Sequence, residues 1–168
     1  MIQAIFDSKR YALRVIIVSI AEQLLYHRRQ TGVFHAYPVS TAASGVGNDS
    51  DSLKTPPGSH RIYAKIGEGL PIFTVFVGRI PVGIFDPAYD DPSRDWILTR
   101  ILWLEGMETG KNKRGHVDTK SRFIYIHGTH EEDMLGIPAS HGCVRMCNTD
   151  MLELFEHTHT GEIVRIIP

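Results

Sequence analysis

The sequence predicts a mainly β domain, a sandwich or barrel carrying one short C-terminal helix. Three observations predict it. Short runs rich in β-branched and aromatic residues recur along the chain. Glycine, proline and small polar residues separate these runs at regular intervals. Only one segment, close to the C-terminus, has a helical start signal followed by helix-forming residues.

The elements follow in order. Leu13–Ser19, Gln23–Arg28 and Gly32–Ser40 are apolar or alternating and read as strands, the third ending in the string Y-P-V-S-T. Residues 42 to 59 are rich in Gly, Ser, Asp and Pro and read as a loop. Arg61–Ile66, Ile72–Val77 and Ile80–Ile84 continue the strand series, punctuated by Gly67, Gly69 and Gly78. A second polar loop, Asp86 to Asp95, precedes an apolar segment, Trp96–Leu104, whose Trp96 and Trp103 suit a core better than a ligand platform. Glu105 to Lys120 is glycine-rich and carries Lys111, Lys113 and Arg114, the composition of an exposed, mobile loop. Phe123–Ile126 then reads as a buried strand that delivers His127 at its end. The helix starts with Asn148 as its N-cap and runs through M-L-E-L-F-E-H-T. A last strand, Ile163–Ile167, follows Gly161.

Composition narrows the function classes. A chain of 168 residues, 42% hydrophobic and 22% charged, has the size and mix of one soluble globular domain. A net charge of −1 supplies no global field to attract nucleic acid or an anionic membrane. The two cysteines, Cys143 and Cys147, fall four residues apart in one motif, which speaks for chemistry or metal rather than disulfide stapling. The longest apolar run, Val15 to Ile20, is too short to cross a bilayer. The first residues lack a signal-peptide layout, so a cytosolic setting is the expectation, or a periplasmic or cell-wall one if a leader was removed.

The chemistry concentrates between Ile126 and Asn148, I-H-G-T-H-E-E-D-M-L-G-I-P-A-S-H-G-C-V-R-M-C-N. Cys143 has three readings: a small buried hydrophobe, a zinc ligand with His127, His141 and Cys147, or a nucleophile. The glycine and histidine just before it suit a tight turn better than a packed core. The H-x-C-x3-C spacing matches no usual structural-zinc pattern, so the neighbours favour the nucleophile. A free thiol ionises only near pH ~8.5 and needs an activating base or cation. His127 is the candidate general base, with Gly128 leaving its ring accessible; a histidine bonded into the core is the alternative.

The backbone N–H groups of Gly142 and Cys143 are candidates for an oxyanion hole. Ser140 is placed to lock the turn by a side-chain to backbone bond, and His141 to orient it or add a donor. Arg145 suits a substrate carboxylate, or a surface salt bridge. Other catalytic signatures are absent. No serine has a lysine three residues on, no G-x-S-x-G elbow occurs, and H-E-E-D-M lacks the second histidine of a zinc-protease helix.

The strings H-G-T (His127–Thr129) and P-A-S-H-G-C-V-R-M (Pro138–Met146) also carry a resemblance. Together with Y-P-V-S-T (Tyr37–Thr41) and T-P-P-G (Thr55–Gly58), they resemble the L,D-transpeptidase (YkuD-domain) family, over almost the whole chain. T-R-I-L-W-L-E-G and R-F-I-Y-I-H-G-T look like a compact subgroup of it. The resemblance implies a β-sandwich or barrel-like domain whose cysteine attacks a peptidoglycan stem peptide between the third-position diamino acid and D-alanine. Cys143 is then the nucleophile and His127 the base, while His141, Gly142 and Arg145 complete a pocket and Tyr125 contacts substrate. Transfer of the acyl group to an amine gives a cross-link, and transfer to water a carboxypeptidase reaction. The implied partner is a stem peptide or muropeptide, with no cofactor or metal. Many members have asparagine where this chain has Arg145. Cys147 is a further departure, open to oxidative pairing with Cys143 if the turn permits.

Overall fold

The structure, a computed structural model, describes residues 14–29 and 31–168, so the predicted strand position Leu13 lies outside the described residues. The strands are β1 (Val15–Ser19), β2 (Leu24–Arg28), β3 (Phe34–Ser40), β4 (Gly58–Ile66), β5 (Thr74–Val77), β6 (Ile80–Ile84), β7 (Ile97–Gly106), β8 (Tyr125–Gly128), β9 (Val144–Met146) and β10 (Ile163–Ile167). The helix α1 spans Asn148–His157. The strands follow the order β4-β10-β1-β2-β3-β9-β8-β7-β5-β6, and β4 also pairs with β7. The β4–β7 pairing closes the first eight of these strands into a ring, so the barrel alternative is the one adopted. Closure leaves those strands no open edge.

Burial explains the strand patterns. All five residues of β1 are buried, because it lies between β2 and β10 with both faces covered. β2 and β10 alternate buried and half-buried positions, the period expected of a strand with one inward face. The main core joins Ile16, Val18, Leu25, Val39, Ile62, Leu102, Leu104, Ile126, Val144 and Met146 from the sheet to Met151, Leu154 and Phe155 of α1. At about 2 kcal/mol per fully buried large apolar side chain, this cluster dominates the stabilisation.

β7 does two jobs. Its C-terminal half pairs with β4 and β8, and its first residues hold the β5–β6 hairpin. Between the halves the β7–β8 register shifts, and Thr99 sits at φ 70°, a left-handed conformation that a β-branched residue adopts at a cost.

Two sequence expectations are corrected here. The stretch Glu105 to Lys120 is not an exposed, mobile loop throughout. Glu105 and Gly106 complete β7, and the tight turn beyond them is tied inward by fully buried Asn112 and Thr119. Asn112 donates to the Ser59 carbonyl at 3.0 Å, and Glu105 lies among Arg61, Lys113 and Lys120. The anchors Asn112 and Thr119 carry no local signal, because their partners Ser59 and His60 are distant in the chain. The helix also starts one residue earlier than expected, with Cys147 rather than Asn148 at the N-cap.

Buried histidines make stability pH-dependent. Burial lowers the pKa of His60, on β4, from 6.5 to about 4, and pushes His127 down for the same reason. The unfolded chain therefore binds these protons more readily than the folded one. The stabilisation is fully present above the unfolded value and is lost as pH falls through the folded one. The melting temperature is expected to hold near neutrality and to decline from about pH 6.5 towards about pH 5.5, before carboxylates titrate appreciably. Melting curves independent of pH across that window would contradict neutral, buried rings.

Candidate active site

β8 and β9 run parallel as neighbours, with Ile126 opposite Val144, His127 opposite Arg145 and Gly128 opposite Met146. This register lays the H-G-T and C-V-R-M strings side by side. Cys143 occupies the turn immediately before β9 and packs against Phe76, Ile101 and Tyr125. Its Sγ accepts the Tyr125 backbone N–H at 3.3 Å and lies 3.5 Å from the Phe123 carbonyl, to which the thiol donates. Burial pushes the thiol pKa up to about 12, against the opposing pull of the Tyr125 N–H and of Arg145 and Arg122. At neutral pH the sulfur is therefore protonated and needs a base before it can attack a carbonyl.

His127 is built as a neutral base. Its Nδ1 lies 2.7 Å from the Gly128 carbonyl oxygen. A carbonyl only accepts, so the proton is on Nδ1 and Nε2 keeps its lone pair. Burial lowers the ring's pKa, more than the nearby Asp95 charge and the Gly128 bond raise it. Gly128, however, does not expose the ring, because His127 is only 1% exposed. Glycine is needed there for a different reason. A Cβ at position 128 would lie 2.3 Å from the Asn148 Oδ1.

Asn148 is a buried polar hub rather than a cap. It accepts from Thr99 Oγ1 at 2.5 Å and donates to the Thr129 carbonyl and the Glu132 carboxylate, each at 2.6 Å. The bulge in β7 aims Thr99 at this amide, which braces the end of β8 just behind His127.

The turn before the thiol is held by Ser140, as its sequence position suggested. Ser140 Oγ donates to the Cys143 carbonyl at 2.6 Å and accepts the Gly142 N–H at 3.2 Å. That second bond changes the oxyanion assignment: the Gly142 N–H is directed at Ser140, leaving the Cys143 N–H as the turn's candidate donor. Gly142 adopts φ 128°, open to glycine but strained for other residues.

Arg145 differs most from expectation. It neither lies at the surface nor presents a free fork to substrate, since it is 2% exposed and held by two carboxylates. One terminal nitrogen lies 2.7 Å from Glu131 Oε2 and the other 2.8 Å from Asp95 Oδ1. The second Asp95 oxygen accepts from His141 Nδ1 at 2.8 Å. Asp95 thus ties a buried arginine to an exposed histidine at the rim of the site. Burial raises its pKa, but the bonds from Arg145 and His141 and the Arg145 charge outweigh that and hold it below the ordinary carboxylate range.

Cys147 stands apart. The extended strand β9 separates it from Cys143, a span on the order of 13 Å at ~3.3 Å per residue. A disulfide needs Cα atoms within roughly 7 Å, so the pairing suggested by sequence would require β9 to unravel. Both thiols are free. Among the described residues no three His, Cys, Asp or Glu side chains gather as a metal set.

Comparison with known proteins gives the family. The model of the L,D-transpeptidase catalytic domain (YkuD) matches residues 13–166. The chain belongs to that family. Among curated proteins, the probable L,D-transpeptidase ErfK/SrfK of Escherichia coli (strain K12) is 26% identical over 165 residues, covering 90% of this chain and 43% of that protein. Its Salmonella typhimurium namesake is also 26% identical over 165 residues, with the same coverage. This L,D-transpeptidase domain therefore spans less than half the length of the curated relatives it matches. The crystal structure of L,D-transpeptidase 3 from Mycobacterium tuberculosis superposes with a TM-score of 0.58 at 18% identity, over 92% of this chain and 61% of that one. The Enterococcus faecium L,D-transpeptidase gives 0.55 at 13%, over 92% and 49%. At such identities these two structures speak to the fold.

Sequence reasoning missed several residues that shape this L,D-transpeptidase site. Asp95 closes a loop read only as polar, and Glu131 lies in a string weighed only against zinc chemistry. Arg122 donates to the carbonyls of Gly47, Asn48 and Lys54, tying the 42–59 loop beside the thiol. This loop and Phe123, Ile124 and His141 line a cavity of about 250 Å³ next to Cys143. Tyr125, expected to contact substrate, is buried, with its hydroxyl accepting from Arg79 at 2.9 Å. No local spacing signals these partners, which meet only across the sheet.

Proposed function

We propose that Cys143 is the nucleophile of an L,D-transpeptidase reaction on peptidoglycan tetrapeptide stems. The observation that carries this reading is a protonated thiol in the turn that opens β9, with a neutral histidine, its Nε2 unprotonated, on the strand paired to β9. His127 takes the thiol proton as sulfur attacks the carbonyl between the third-position diamino acid and D-alanine. The tetrahedral oxyanion is met by the Cys143 N–H. Collapse breaks the C–N bond, and the proton held on His127 leaves with the D-alanine amine. A thioester remains on Cys143. An amine of a second stem then attacks it, gives up a proton to His127, and departs joined to the donor as a cross-link, while the thiolate recovers its proton.

Incubation with purified tetrapeptide, followed by mass analysis of protein and products, tests the reading. The expected results are release of D-alanine, a Cys143 acyl adduct and cross-linked dimers. Tripeptide without dimers would replace the amine acceptor by water and make the enzyme a carboxypeptidase. No D-alanine and no adduct would overturn the proposal.

A further inference from the structure

With Arg145 committed to Asp95 and Glu131, the cation available to a substrate lies elsewhere. Arg79 occupies the tip of the β5–β6 hairpin, at φ 70°. Its guanidinium lies 4.7 Å from the centre of the Trp103 ring and 4.8 Å from that of Phe123, and one terminal nitrogen donates to the Tyr125 hydroxyl at 2.9 Å. Two aromatic faces and one hydroxyl thus fix the plane of the fork.

It is held by two residues that also hold the sulfur. Phe123 and Tyr125, which hold the guanidinium through their side chains, are also the residues whose backbone carbonyl and N–H contact Cys143 Sγ. Among the described residues Arg79 pairs with no carboxylate, unlike Arg29, Arg61 and Arg145. Arg122 and Arg100, the other nearby arginines, spend their donors on backbone carbonyls.

We propose that Arg79 is a specificity-determining residue that binds the C-terminal carboxylate of the donor peptide, the carboxylate of the residue that will leave. This rests on the reading of Cys143 given above. With the scissile carbonyl at the sulfur, that carboxylate lies one residue further on, about 4 Å away along the chain. An oriented guanidinium beside aromatic walls, with donors to spare, is suited to a charge-assisted bond with such a group.

Binding to the Cys143→Ala protein tests the site without turnover, by calorimetry with the tetrapeptide and with its C-terminal amide. The free acid is expected to bind about tenfold or more tighter than the amide, the scale of a hydrogen bond to a charged group. Arg79→Met should bring the two to parity by weakening the acid alone, and Arg79→Lys should restore part of the preference. Both substitutions occupy the same backbone conformation, and melting curves check their folding. An acid-to-amide ratio unaffected by Arg79→Met, equal weakening of both peptides, or binding of neither would overturn the proposal. If the protein with Cys143 intact still releases D-alanine in that event, only the carboxylate site falls. If it releases none and forms no thioester, the reading of Cys143 has failed.

Discussion

Cys143→Ala is expected to cut D-alanine release by roughly four orders of magnitude or more, the scale seen when a covalent nucleophile is removed. The fold should persist, because the sulfur sits at the border of the small Phe76–Ile101–Tyr125 cluster and not in the main core. Cys147→Ala should leave turnover within about twofold, since its thiol meets only Thr149 Oγ1, 3.2 Å away at the start of α1, and β9 keeps it from the reacting centre. Turnover with tetrapeptide and melting temperature, measured for both variants, check this. An active Cys143→Ala protein, or an inactive Cys147→Ala one that folds normally, would reverse the assignment of the nucleophile.

Asp95→Asn should give the second large effect. The change preserves shape but removes the charge that balances Arg145 and leaves one acceptor oxygen for two donors, Arg145 and His141. Arg145 keeps Glu131, so the loss of stability should be about 1–3 kcal/mol, the range for a buried polar group that loses a partner, rather than unfolding. Turnover should fall up to about a hundredfold, because a misplaced His141 and Arg145 disturb the turn that positions the thiol. The pH dependence separates a positional role from simple destabilisation. Asp95 has a lowered pKa, so its contribution is present above the ordinary carboxylate value near ~4 and is lost as pH falls through the folded value. The variant should lose less stability than the wild type on acidification below about pH 4. Identical acid profiles together with unchanged turnover would remove Asp95 from the site.

The two outcomes bear on different parts of the molecule. The proposed nucleophile lies in the turn before β9 and the proposed base on β8, the strand paired to β9, and both proposals start from local strings, H-G-T and S-H-G-C. Asp95, Glu131 and Asn148 instead brace those strings from loops and from the first turn of α1. Each is a polar residue whose partner is 14 to 49 positions away, as in the bonds of Glu131 to Arg145, Asp95 to His141 and Thr99 to Asn148. Spacing along the chain carries no trace of such pairs. Arg145 illustrates the consequence. Its place two residues after the nucleophile marks it as part of the site, but only the approach of two distant carboxylates shows that its fork is already filled. Gly128 is similar: by sequence it leaves the His127 ring accessible, but in the fold its missing side chain makes room for the Asn148 amide.

The sequence by itself determined the strand-rich class, the order of the elements, the late helix and the thiol–imidazole pair. These are encoded in hydrophobic period, turn residues and short motifs, all properties of neighbouring positions. Tertiary structure decided the rest. The β4–β7 pairing chose barrel over sandwich, β9 held the two thiols apart, and burial kept Cys143 protonated and His127 neutral. Closure, desolvation and ion pairing depend on which groups meet in space, and that is fixed only when strands far apart in the chain come together.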